Sequence, residues 1–197
     1  MNVKNMFKLG VILAVFATAA CIMLAFVYAG TSTIIAAQEE ADLQAALKEI
    51  FPEADNFEPA TGIKSPDTSV VVQGAYRAVQ DGQPVGVALK LSKASYSDQI
   101  IIMVGVSVDG TITGVKIMEH SDTPGLGANA ASPSYFVDRT RGITFYGQFA
   151  GKNVNDPFEV KGDVAAITAA TVTSKAVASS VKAAGLTAAA WFAEGGR

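Results

Sequence analysis

The sequence predicts an α+β protein: a single N-terminal transmembrane helix followed by an exported domain with a mainly antiparallel sheet and flanking helices. Three observations carry this. No charged residue occurs from Leu9 to Gln38. Four runs rich in β-branched residues lie between Val70 and Met118, and two of their junctions are Asp-Gly pairs. An alanine-rich stretch from Thr171 to Ala184 then reads as a helix.

The densest part of the uncharged run, Leu9 to Ala29, would span about 31 Å as a helix, close to a hydrocarbon core. Lys4 and Lys8 precede it, and Glu39 and Glu40 are the first charges after it. The positive-inside rule then puts the N-terminus in the cytoplasm and the rest of the chain outside, in the cytoplasmic membrane of the cell. Two shorter readings compete: a signal peptide ending at Val27-Tyr28-Ala29, and a lipoprotein signal ending at Cys21. The first requires a shorter apolar stretch than this one. The second would leave Ile22, Met23 and Leu24 as a greasy stub. An uncleaved helix is therefore expected, with Cys21 a small packing residue.

Leu43, Ala46, Leu47 and Ile50 recur at helical spacing, which predicts a helix over Ala36 to Phe51 ended by Pro52, a stalk next to the bilayer. Asp55 to Pro66 is turn-rich. Strands are expected over Val70 to Val79, Pro84 to Leu91, Gln99 to Val108 and Thr111 to Met118. Asp81-Gly82 and Asp109-Gly110 supply hairpin turns. The third run is apolar on both faces, which makes it central. Glu119 to Gly127 is a loop. Short helical stretches are expected around Pro133 to Asp138 and Tyr146 to Gly151. Gly185 is expected to cap the last helix, leaving an apolar tail with Trp191, which could be core or could touch a membrane or partner. The boundaries follow: residues 1–30 for the N-terminus and anchor, 31–66 for stalk and linker, and 67–197 for the main domain.

Composition excludes several functions. With 197 residues, half hydrophobic and 17% charged, the chain is no disordered tail. Its 15 basic and 18 acidic residues give a net charge of -3, without the basic face that nucleic acid requires. One cysteine and one histidine leave neither a disulfide framework nor the usual zinc ligand set, so no metal site is expected. No general acid–base pair stands out, and no catalytic residue is assigned.

The chemistry lies in Thr168-Ala169-Ala170-Thr171-Val172-Thr173-Ser174, where hydroxyls cluster at a helix start. Unpaired N–H groups and the helix dipole make such a start a ready phosphate site. Ordinary capping by Thr168 or Thr171 would explain the same residues.

This stretch resembles the flavinylation motif of the FMN-binding domain found in the G subunit of the Rnf complex and in the C subunit of sodium-pumping NADH:quinone oxidoreductase. The family pattern is roughly Asp-x-x-Ser/Thr-Gly-Ala-Thr-x-Ser/Thr-Ser. By that resemblance Thr171 carries FMN through a phosphoester bond, while Thr173 and Ser174 are the trailing hydroxyls. Ala165 stands where the family has Asp, and Ala169 where it has Gly. A second stretch, His120-x-Asp122-Thr123-Pro124-Gly125-Leu126-Gly127, is similar to the family loop His-x-Glu-Thr-Pro-Gly-Leu-Gly, which helps form the flavin pocket. Val104-Gly105-Val106 and Phe149-Ala150-Gly151-Lys152 are also family-like, and Ser95 to Gln99 replaces a Gly-rich turn. Tyr96, Tyr135 and Tyr146 read as core or surface fillers rather than flavin-stacking groups. The resemblance covers about residues 68 to 185 and the anchor.

The resemblance implies a covalent-FMN electron-relay subunit of a membrane-bound, ion-translocating oxidoreductase, moving electrons between ferredoxin and NAD with sodium or proton transport. Its partners would be other membrane subunits, the bilayer and, during maturation, a flavin transferase. The quinone-reductase C subunit, a stand-alone exported flavoprotein and an anchored binding module without cofactor stay open as alternatives.

Overall fold

A computed structural model describes residues 3–196. The chain divides into two compact units, Met1–Leu43 and Gln44–Arg197. From Val3 onward the first lies within one helix, α1 (Val3–Ile50). Its apolar span is apolar on every side: Leu9, Leu13, Phe16, Leu24 and Phe26 are all exposed, as in a helix surrounded by lipid. By length and composition this is a single-pass membrane anchor. The expected stalk is not a separate helix, because α1 runs on without a break. A hydroxyl within it is satisfied locally: Thr31 Oγ1 donates back to the Val27 carbonyl at 2.9 Å.

The second unit is a five-stranded antiparallel meander, in spatial order β1 (Asn56–Pro59), β2 (Val70–Gln80), β3 (Gln83–Ala94), β4 (Gln99–Ser107) and β5 (Ile112–Glu119). All four expected strands are present. The β2–β3 turn uses Asp81 and Gly82, both at positive φ, as a two-residue hairpin demands. At the β4–β5 turn, Asp109 Oδ1 accepts from the Thr111 N–H at 3.0 Å and from the Ser107 hydroxyl. The turn-rich Asp55–Pro66 segment contributes the edge strand β1, whose Glu58 pairs with Arg77 directly opposite.

Both faces of the sheet are covered, which is why β4 is apolar from Ile100 to Val106. One face carries Val87, Leu89, Leu91, Ile102 and Val104, and it buries Val177, Val181, Ala184 and Ala188 of α2 (Thr171–Ala193). The other face receives the C-terminal turn of α1. Gly86 and Gly105 make room there: a Cβ on Gly105 would lie 2.1 Å from Ile50 Cγ2, and one on Gly86 would lie 2.6 Å from the Phe51 ring.

Two local expectations are corrected. The region around Pro133 to Asp138 is not helical; Phe136–Asp138 forms β6 and pairs with β7 (Ile143–Thr144). Asp138 Oδ1 closes that turn by accepting from the N–H groups of Thr140 and Arg141, an arrangement that competes with helix. Around Tyr146 to Gly151 the expected short helical stretch is present, as a single 3₁₀ turn over Gly147–Phe149. Finally, α2 does not stop at Gly185 but runs to Ala193. Gly185 serves close packing, since a Cβ there would lie 3.0 Å from Val154. Trp191 is half-buried against the core of its own domain. The second apolar helix thus buries much of its surface inside the domain, as a core helix does.

Candidate functional site

Three segments meet around a cavity of about 390 Å³ at the start of α2. Ala169 to Thr173 form one wall, Asp122, Thr123, Leu126 and Gly127 another, and Tyr96 stands at the tip of the β3–β4 hairpin. The two stretches singled out in the sequence are therefore brought together.

Asp122 is the junction. It is 6% exposed, and its Oδ2 accepts from Thr173 Oγ1 at 2.7 Å and from Ser95 Oγ at 3.0 Å. Its Oδ1 accepts from the Ser97 N–H at 3.1 Å. Burial works to raise the Asp122 pKa. The hydrogen bonds from Thr173, Ser97 and Ser95, with a smaller pull from the His120 imidazole, outweigh it and hold the carboxyl below the ordinary carboxylate value. The loop can press this close only because residue 127 is glycine: a Cβ would lie 2.6 Å from Thr173 Oγ1 and 2.7 Å from Asp122.

Thr171 is the first residue of α2, half-buried at the cavity wall. The expectation of ordinary capping is not met. The N-cap is Ala170, no side chain caps the helix, and no acidic residue lies in its first turn. The first helical bond runs from the Ser174 N–H to the Ala170 carbonyl at 3.0 Å, so the amides of Thr171, Val172 and Thr173 lie ahead of it. Ala169 sits at φ 59°, a left-handed conformation that glycine adopts without strain.

Other expected residues stand apart from the cavity. Ser174 is fully buried and ties the approach loop to the helix, donating to the Ala170 carbonyl and accepting from the Ile167 N–H, both at 2.9 Å. Thr168 is exposed, and its N–H donates to the Tyr135 hydroxyl. Pro124 and Gly125 shape the loop outside the lining; the Gly125 carbonyl accepts from Asn129 Nδ2 at 2.9 Å. His120 lines a different hollow with Asp98, Gln99 and Glu119, and its Nδ1 is buried without a hydrogen-bond partner among the described residues. Lys152 is engaged by Asp163 at 3.0 Å, and Gln148 brackets the backbone of Ala165, accepting from its N–H at 2.7 Å.

Sequence reasoning passed over Tyr96 and Val172 as site residues. Both are exposed apolar side chains at the cavity. The signal for Tyr96 was its setting, an aromatic residue between two serines in a turn of the kind that usually carries glycine.

Residues 95–185 match the family described as FMN-binding domain, and residues 1–50 match the family described as RnfG N-terminal region. The chain is 34% identical over 178 residues to the G subunit of the ion-translocating oxidoreductase complex of Methanosarcina acetivorans, covering 88% of this chain and 89% of the relative. It is 34% identical over 202 residues to the G subunit of the Na(+)-translocating ferredoxin:NAD(+) oxidoreductase complex of Acetobacterium woodii, covering 90% and 89%. With the corresponding G subunit of Escherichia coli K12 it shares 31% identity, covering 93% and 91%. Among solved structures, the C subunit of the Na(+)-translocating NADH-quinone reductase of Parabacteroides distasonis aligns over 60% of each chain, with 23% identity and a TM-score of 0.44.

Proposed function

The chain belongs to the family of G subunits of ion-translocating oxidoreductase complexes, and from that premise we propose that it is an electron-relay subunit carrying FMN as a phosphoester on Thr171. The observation that carries this reading is Thr171 at an uncapped helix start, lining a cavity within the stretch that matches the FMN-binding domain.

The donor set suits the group. The first-turn amides and the helix dipole favour a phosphate, and no carboxylate in that turn opposes it. The rim of Tyr96, Leu126 and Val172 offers apolar surface to a flat ring, above the polar floor of Asp122 and Thr173. When bound, FMN supplies the redox chemistry, and the protein supplies attachment, orientation and tuning.

Thr171 Oγ1 would hold FMN through its phosphate, with the hydroxyl proton and the rest of the activated flavin nucleotide leaving together on a flavin transferase. The diester retains one negative charge, which the start of α2 stabilises. Thr173 is 1% exposed with its hydroxyl on Asp122, so Thr171 is the accessible hydroxyl of the two. The positive-inside rule, with Lys4 and Lys8, puts the N-terminus in the cytoplasm and the flavin domain outside the membrane. There a bond prevents loss of a cofactor that no outside pool replaces. Electrons arrive from one membrane subunit and leave to another, between ferredoxin and NAD in the whole complex, coupled to sodium or proton transport.

Peptide mapping of protein isolated from membranes of cells that hold the transferase tests the attachment. The mass of FMN is expected on the peptide containing Thr171, with a fluorescent band on a denaturing gel. An unmodified peptide and a dark band would leave an anchored binding module. Flavin on Thr173 would shift the register of the site.

A further inference from the structure

The tip of the β3–β4 hairpin is short and exposed, yet it is held from below. The Ser95 N–H donates to the Asp98 carbonyl at 2.7 Å and closes the turn. Within that turn, both neighbours of Tyr96 bind one buried carboxylate, Ser95 through its hydroxyl and Ser97 through its backbone N–H. The same carboxylate takes the Thr173 hydroxyl of the helix that begins at Thr171. The backbone that carries Tyr96 is thereby tied to the helix that begins at Thr171, although Tyr96 itself is 72% exposed. A tyrosine so exposed at a hairpin tip gains little from burial in the free domain, but it lines the cavity and is the largest side chain of the rim.

We propose that Tyr96 stacks its phenol ring on the isoalloxazine ring of FMN held at Thr171, shielding it from water, and that Asp122 is the positioning residue that sets this stack. The inference rests on the reading of Thr171 as the flavin carrier. An aromatic ring offers a flat apolar face, and offset stacking adds attraction beyond the area buried. A stacked phenol also quenches flavin emission: it passes one electron to the excited ring and receives it back, with no net change in either. Ser95 and Ser97 contribute only through Asp122, so loosening them moves the ring without touching the flavin.

The test uses the full-length protein, loaded in membranes and purified in detergent, as wild type and as Tyr96→Leu, Tyr96→Phe and Ser95→Ala. Flavin load is measured first, as modified Thr171 peptide and as absorbance after denaturation. At equal load, native emission is expected to rise several-fold in Tyr96→Leu, to rise in Tyr96→Phe while access of iodide to the flavin stays at the wild-type level, and to rise partway in Ser95→Ala. After denaturation all four should emit alike. Equal native emission in wild type and Tyr96→Leu, with Thr171 fully modified in both, would overturn the stack and leave the flavin assignment standing. No flavin on Thr171 in wild type would overturn both.

Discussion

The Thr173 hydroxyl donates to Asp122 Oδ2 at 2.7 Å, joining two residues 51 positions apart in the chain and both almost fully buried. This bond fixes the loop after β5 to the first turn of α2. Replacing Thr173 by Val keeps the shape and removes one of the donors that hold Asp122. A hydrogen bond to a charged group contributes about 1.5–3 kcal/mol. Thr173→Val should therefore destabilise the domain by about 2 kcal/mol, read by chemical denaturation in detergent with the emission of Trp191, the only tryptophan. Its flavin, where loaded, should report a looser pocket through broader visible absorption bands than wild type.

Thr171→Val separates attachment from folding. Thr171 is half-buried and caps nothing, so its hydroxyl contributes little to the helix start. Covalent flavin is expected to vanish on a denaturing gel, while far-UV circular dichroism and the denaturation midpoint stay at wild-type values. Thr168→Val is the control. Its side chain is exposed and outside the cavity lining, so most of the attachment should survive.

The residue before the N-cap is strained rather than reactive. Ala169 stands at φ 59°, where a Cβ costs about 1–2 kcal/mol relative to glycine. Glycine gives back part of that gain through its own freedom in the unfolded chain. Ala169→Gly should raise stability by about 1 kcal/mol, seen as a higher denaturation midpoint with an unchanged slope. A drop in stability would mean that the Ala169 methyl makes contacts worth more than the strain.

The hairpins were legible because Asp-Gly at a strand junction has a local mechanism: positive φ at Asp81 and Gly82 needs nothing from the rest of the chain. The alternation-free run at β4 was legible as an interior strand, since both its faces are covered, although the middle of the sheet is β3 and β4 lies next to the edge strand β5. Where the outcome depended on a distant partner, the sequence was silent. Gly185 has the look of a helix stop, and only Val154 across the core shows it to be a packing glycine. Tyr96 reads as filler because its placement depends on Asp122, 26 residues later in the chain, gripping the serines on either side. The hydroxyl cluster at 168–174 was visible, but its division of labour was not. Thr171 lines the cavity, Thr173 holds Asp122, and Ser174 staples the backbone.

Acid should loosen the loop leading to the site through Asp163. Burial raises its pKa, but the hydrogen bond from Lys152, the Glu159 N–H and the lysine charge prevail and hold it below the usual carboxylate value. A depressed folded pKa means stability that is present above the unfolded value of about 3.9 and lost as pH falls through the folded value. Asp163→Asn should be less stable than wild type at neutral pH. The gap between the two should narrow as pH falls below about 4. Denaturation midpoints measured from pH 7 downward check this; a gap that stays constant would assign the loss to geometry rather than charge.

Gly105 sits where β4 passes under the last turn of α1, and its neighbours leave no space. A Cβ there would lie 2.1 Å from Ile50 Cγ2, 2.2 Å from Thr113 Oγ1 and 2.9 Å from the Phe51 ring. Ile50 and Phe51 are themselves buried, so neither can swing into solvent without exposing its apolar surface. Overpacking of this kind costs about 1–3 kcal/mol or more, and here three neighbours must give way at once. Gly105→Val should destabilise the domain by at least about 3 kcal/mol, while leaving the face that carries Thr171 and Asp122 intact in whatever fraction folds. The measurement is a pair: the denaturation midpoint falls, and the flavin per folded protein, counted on the Thr171 peptide after removal of aggregates, stays at the wild-type ratio. Coupled loss of both would mean that the packing of the α1 end controls the shape of the flavin cavity on the opposite side of the sheet.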